Sequence, residues 1–150
     1  MTNETVRDTH AMLSGMTPAL MEGEFVFCVT PNEDVALLAA PDTLAWFRER
    51  EGTSLILSKS RAAELGFNCD MPMRHIVLEV FSSLEGVGLT AAVASTLAAH
   101  SIPCNMVAAY HHDHVFVPAA MADLALEILL KLQEASPREA SSLVTRPPPG

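Results

Sequence analysis

The feature that most constrains this chain is a change of apolar period that recurs through its second half. His75-Ile76-Val77-Leu78-Glu79-Val80-Phe81 is a run of β-formers with apolar residues on both faces, which reads as a largely buried strand. Ser82 to Gly88 reads as a loop containing Gly86 and Gly88. Leu89, Val93 and Leu97 then recur every four residues, with Ala92 and Thr96 beside them, marking one face of a helix that runs to about Ala99. Ile102 to Ala109 reads as the next strand, His111-His112-Asp113-His114 as a polar turn, and Val115-Phe116-Val117 as a return strand closed by Pro118. Met121, Leu124, Ala125, Ile128, Leu129 and Leu132 line one face of a final helix. The order strand–helix–strand–strand–helix predicts an α+β, ferredoxin-like βαββαβ unit, an antiparallel sheet with its helices on one face, provided one more strand joins it.

The first half can supply that strand. Glu24 to Thr30 is rich in β-formers and stops at Pro31. Thr2 to Ser14 reads as a short opening helix, and Asn32 to Ala40 fits no single period. Asp42 is placed to cap a helix through Arg50, with Leu44 and Phe47 on one face and Glu51-Gly52 as the stop. Thr53 to Leu57 is a second strand, and Ser60 caps a short helix, Arg61 to Leu65, that Gly66 ends. A short gapped match links Glu24-Phe25-Val26-Phe27 to Asp113-His114-Val115-Phe116-Val117-Pro118 and suggests two related halves. The boundaries that follow are a degenerate first unit over 1–70, a second unit over 71–135, and a polar, proline-rich tail over 136–150 expected to be disordered.

Composition narrows the function classes. Apolar residues make up 49% of the 150 residues and charged ones 18%, which fits a chain that folds around a core. The net charge is −9 and the nine Lys and Arg form no cluster, so a phosphate backbone is repelled and nucleic acid is not an expected partner. One Trp, one Tyr and six Phe leave little to stack on bases. No apolar run approaches the roughly 20 residues that span a bilayer, so no membrane role is expected. Met1 to His10 carries Glu4, Arg7 and Asp8, without the basic opening and apolar centre of a secretory signal. Cys28, Cys69 and Cys104 have no CxxC spacing, no zinc pattern and no disulfide framework, so a reducing cytoplasm is the simplest location.

The stretch Val87 to Asn105 resembles the core of an ACT domain. In that pattern a Gly precedes the first helix, a Leu sits nine residues later and an Ile opens the second strand; Gly88, Leu97 and Ile102 hold those places. The run from Ala108 to Pro118, with Gly23 to Cys28 and Phe47 to Leu57 in the first half, resembles a group of small bacterial tandem-ACT proteins. The likeness extends over residues 10 to 134. It departs from the pattern where Val87 replaces the usual Pro and Ser101 the usual Gly. The resemblance implies two ACT units, the first degenerate, that bind an amino acid where units pair, a homodimer, and a regulatory role without catalysis, acting on a target that must be a separate chain. No Walker motif and no GxGxxG occurs, so no nucleotide cofactor is expected.

The residues themselves place a candidate site at Glu85, Val87, Gly88, Leu89 and Asn105. Glycines let backbone approach a ligand, and free N–H groups at a helix start attract a carboxylate. Asn105 could hold the amino or carboxylate group, and Ser82 and Ser83 could add hydroxyls. The plainer alternative is that these glycines only permit a tight strand-to-helix turn. His111-His112-Asp113-His114 offers ligands for zinc or nickel, which makes a metal-binding protein or metalloenzyme the competing reading. Neighbours on a strand face opposite sides, however, so His112 and His114 align while His111 points away, and a polar hairpin turn is favoured over a metal. A third possibility is a protein-interaction module without a ligand, pairing through an open sheet edge. Tyr110 reads as a hydrogen-bonding core residue. Cys28 and Cys104 read as buried small hydrophobes on strands, not nucleophiles.

Overall fold

A computed structural model describes residues 15–79 and 88–135. The opening helix expected over Thr2 to Ser14, the loop from Ser82 to Val87, the last residues of the strand at Val80 and Phe81, and the expected disordered tail lie outside the described residues. Among the described residues, six strands and four α-helices follow in the order β1 (Thr17–Thr30), α1 (Glu33–Ala39), β2 (Ala45–Glu49), β3 (Gly52–Ser58), α2 (Lys59–Glu64), β4 (Met73–Glu79), α3 (Leu89–Ala99), β5 (Asn105–Ala108), β6 (Asp113–Pro118) and α4 (Ala122–Ala135). Among the described residues, no helix is long and apolar enough to cross a membrane.

All strands join one antiparallel sheet in the order β2-β3-β1-β4-β6-β5. Its centre is the 14-residue β1, long enough to serve both halves. Thr17 to Leu20 pair with Glu79 to Ile76 and supply the fourth strand that β4, β5 and β6 lack. After a register shift between Leu20 and Glu24, the second part of β1 pairs on one side with β3, from Phe25–Ser58 to Thr30–Thr53. On its other side it pairs with the start of β4, through Glu24–Arg74 and Phe25–Met73. Each half is therefore completed by the first strand of the other. The Arg74 guanidinium donates to the Met21 carbonyl at 3.0 Å and ties the shifted segment to β4.

Two local expectations are corrected. Asp42 to Arg50 is not a helix: Ala45–Glu49 is strand β2, paired with β3 from Ala45–Ile56 to Glu49–Gly52. Trp46 and Phe47 are both strong β-formers, and as neighbours on a strand they split, Trp46 packing under the helices and Phe47 facing out. Arg50-Glu51 becomes the hairpin turn, and Asp42 pairs with the Arg61 guanidinium at 3.0 Å. Gly52 is required there: its φ is +151°, and a Cβ would stand 2.6 Å from the Thr30 carbonyl oxygen. The cap of α2 is Ser58, whose Oγ accepts from the Arg61 N–H at 3.2 Å, not Ser60. The ambiguous segment after β1 is helical because Asn32 Oδ1 accepts from the Asp34 and Val35 amides and because Glu33 and Asp34 suit the first turn.

Helix α3 ends at Ala99, where its apolar recurrence is expected to stop. Ser101 N–H reaches the Ala98 carbonyl at 2.9 Å and Ile102 N–H the Leu97 carbonyl at 3.0 Å. This hydrogen-bond pair closes a helix through a left-handed residue, usually Gly. Ser101 takes that place with φ +58°. Ile102 then turns inward against Leu97. The strand that follows is shorter than expected, beginning at Asn105 instead of Ile102.

All four helices cover one face. Under α3 and α4 lie Ile76, Leu78, Val115 and Val117, packed on Leu89, Val93, Leu97, Ala125 and Leu129, with fully buried Met16 beside them. Under α1 and α2 lie Val26, Cys28, Leu55 and Leu57 with Ala39 and Ala62. The opposite face carries no described helix. There Ile56, Met73 and Phe116 are buried by their own neighbours Phe25, Ala45 and Val107, while Phe27, Val29 and Phe47 remain exposed. Tyr110, expected in the core, is 79% exposed in the β5–β6 turn, edge-on to His111.

Candidate ligand-binding site

Two strand-to-helix connections hold corresponding places in the element order of the two halves, β4 to α3 and β1 to α1, and residues 80–87 of the first lie outside the described residues. At the first, Gly88 has φ +102° and occupies the cap position with no side chain to accept from the first amides of α3. Those amides have no partner within the helix. Leu89, expected at the site, is 3% exposed and belongs to the core. Glu85 and Val87 lie outside the described residues. Asn105 is exposed at the other end of the sheet: through β6 it is level with His75, whereas Ala108 is level with Leu78. The 11 residues of α3 rise roughly 16 Å between them, so one chain does not bring Gly88 and Asn105 together.

At the second turn the structure shows a cleft that the sequence reading did not include. Thr30, Glu33, Ala36, Trp46, Arg48 and Gly52 are among the residues bounding a cavity of about 550 Å³ between α1 and the β2–β3 hairpin. Arg48 and Arg50 bring cationic groups to its edge and Glu33, Glu49 and Glu51 anionic ones. Glu49 accepts from the Ser54 hydroxyl, and Arg50 and Glu51 pair in the open turn. The signal in the sequence was Asn32 directly after a strand and before Glu33-Asp34, a capping pattern.

The histidines divide. His111 and His112 are exposed in the turn, while His114 lies on β6 and meets His75 on β4, Nε2 to Nδ1 at 2.8 Å. His75 also stacks on Phe116, centroids 4.8 Å apart, with Phe25 edge-on. Burial, with His114 alongside, lowers the His75 imidazole from 6.5 to about 4. Burial and then His112 lower His114 as well, against the pull of Asp113. Asp113 is itself raised by burial, with the two histidines opposing. Among the described residues no three His, Cys, Asp or Glu side chains converge as metal ligands. The cysteines are free: burial, then Cys69 nearby, pushes Cys28 up to about 11, and burial raises Cys104, which lies just before β5. Both are held as thiols at neutral pH.

A six-stranded sheet built from two interlocked βαββαβ units, with every described helix on one face, defines a tandem ferredoxin-like module. ACT-domain models match residues 4–74 and 73–131, and the chain belongs to the ACT-domain family, with two ACT units in tandem. A solved Vibrio cholerae protein of unknown function, described as a possible transport protein, is 37% identical over 86% of this chain and 98% of its own, with a TM-score of 0.75. The regulatory subunit of aspartate kinase from Thermus thermophilus, in its ligand-free form, shares the fold at 12% identity, with TM-score 0.58 over 79% of this chain and 98% of its own. An aspartate kinase from Clostridium acetobutylicum does so at 9% identity and TM-score 0.62, over 80% of this chain and 35% of its own. No curated protein matches.

Proposed function

We propose that this chain is a regulatory small-molecule sensor of the ACT type: it binds an amino acid, has no catalytic activity of its own, and works as a cytoplasmic homodimer on a separate target. The observation that carries this reading is the pair of strand-to-helix connections in a tandem ACT fold, one ending at Gly88, which has no side chain to cap the first amides of α3, and the other opening on a cleft of about 550 Å³. The likeness to regulatory subunits of aspartate kinase supports it. Glu85, Val87, Gly88 and Leu89 belong to the first turn by position, and the buried Leu89 contributes its backbone amide. Asn105, at the far end of the sheet, reaches such a turn only in a neighbouring copy. The exposed Val29 and Phe47, with β2 and β5 as the outer strands of the sheet among the described residues, support self-association.

A thermal-shift screen of the untagged protein against the twenty amino acids and a few divalent metals tests the reading. A rise in Tm that grows with the concentration of one amino acid is the expected linkage. Loss of that rise in Gly88→Val, with the fold retained, locates the ligand at the turn. A response to metal alone overturns the amino-acid reading and returns attention to the histidines. Light scattering should give the mass of a dimer.

A further inference from the structure

The two halves meet along β1 and β4, and on the face without described helices their junction is hollow. A cleft of about 680 Å³ opens there. Phe27 from the first half, Met73 from the start of β4, Asn68, Asp70 and Met71 on the connection from α2 to β4, and Asn105 at the start of β5 are among the residues that line it. It exists only because both halves share one sheet.

Its chemistry is selective. Met71 is 74% exposed and Phe27 47% exposed, large apolar groups left in water at the mouth. Thioether and aromatic side chains of this kind adapt to an apolar ligand. Asp70 has no cationic partner among the described residues, and no Lys or Arg lines the cleft. Asn68 Oδ1 accepts from the Asp70 N–H at 2.7 Å, which leaves the Asn68 amide N–H groups as donors. A ligand carrying only negative charge would therefore meet a carboxylate and no cation to offset it. A molecule with an ammonium group, an acceptor and a large apolar body finds a partner for each.

We infer that this junction cleft binds a neutral α-amino acid with a large apolar side chain. The ammonium pairs with Asp70, the carboxylate accepts from the side-chain amides on the rim, and the side chain lies over Phe27, Met71 and Met73. The inference rests on the amino-acid-sensor reading and adds a ligand class and a second location, distinct from the turns. A ligand held between residues of both halves favours whichever arrangement of the two closes the cleft, which gives occupancy a route to the rest of the sheet.

Calorimetric titration of the full chain with L-leucine, L-methionine, L-phenylalanine, L-aspartate and L-lysine tests it, beside Asp70→Asn, Met71→Ser and Gly88→Val. The first two substitutions fall at exposed loop positions and leave the core intact. The expected result is binding of at least one of the three apolar amino acids. Its affinity should drop by about tenfold or more in Asp70→Asn, drop in Met71→Ser, and hold in Gly88→Val. Absence of binding by all three, or equal affinity in Asp70→Asn, overturns the inference. A response to another amino acid that survives Asp70→Asn and is lost in Gly88→Val would overturn the junction site while leaving the sensor reading standing.

Discussion

His75 and His114, on neighbouring strands of opposite direction, share a hydrogen bond of 2.8 Å between Nε2 and Nδ1 on the sheet face that no described helix covers. One ring nitrogen must donate and the other accept, so the bond requires at least one neutral imidazole.

Stability should therefore fall on acidification. The folded state holds His75 at about 4 against 6.5, so the unfolded chain binds more protons between those values. This contribution is fully present above pH 6.5 and is lost as the pH falls toward 4. Its upper size is roughly 3 kcal/mol. Asp113, raised by burial, acts in the opposite sense and is relieved at low pH. His75→Phe keeps a ring against Phe116 and removes the titration. Denaturant midpoints at a series of pH values should show a flatter profile in that variant, and an unchanged slope would refute the role of the pair.

Ser101→Gly should stabilise the protein. Ser101 closes α3 at φ +58°, where a Cβ is disfavoured and Gly is not. The gain expected is about 1 kcal/mol, read as a rise in Tm. A fall in Tm would mean that the serine hydroxyl contributes more than the backbone strain costs.

Phe116 and Phe47 lie on the same face of the sheet and should differ sharply. Phe116 is 1% exposed and Phe47 71% exposed. Phe116→Ala should cost about 3–5 kcal/mol. Phe47→Ala should stay within about 0.5 kcal/mol for the monomer, while weakening self-association if that face is the interface. Chemical denaturation with light scattering separates the two effects.

A fragment spanning 71–135 should not fold cooperatively. It lacks the strand pairing of Thr17 to Leu20 with β4 and the fully buried Met16, leaving a sheet edge and part of a core open to water. A cooperative melt followed by circular dichroism would show that the second unit is self-sufficient.

Much of the architecture was legible because it depends on local pattern. The four-residue recurrence of Leu89, Val93 and Leu97 marked α3, and all three are buried on it. The resemblance to the ACT pattern implies a Gly where Ser101 stands, and the backbone there is left-handed. Leu44 and Phe47 fit a helical spacing over residues 42–50, whereas pairing with β3, which no local window contains, makes Ala45–Glu49 a strand.

The candidate sites were less legible, for a related reason. Gly88 could be singled out by its place before a periodic run. The cleft at the β1–α1 turn joins residues from Thr30 to Thr53 across a hairpin whose first strand has a helical spacing of apolar residues. The junction cleft joins Phe27 to Asn105, and the histidine pair joins positions 39 apart.

The sequence by itself determined the buried face of α3, the strand-rich second half and the glycines before α3 and after α2, since these follow from side-chain period and backbone preference over a few residues, while the family followed from resemblance. The face expected for α4 held at Ala125, Ile128 and Leu129 but not at Leu124, which is exposed. Only the tertiary structure decided that β1 is shared by both units, that His114 pairs with His75 instead of its neighbours in the turn, and that Asn105 stands at the opposite end of the sheet from Gly88. Those outcomes are set by strand order and register, which arise from hydrogen bonding and burial between residues distant in the chain.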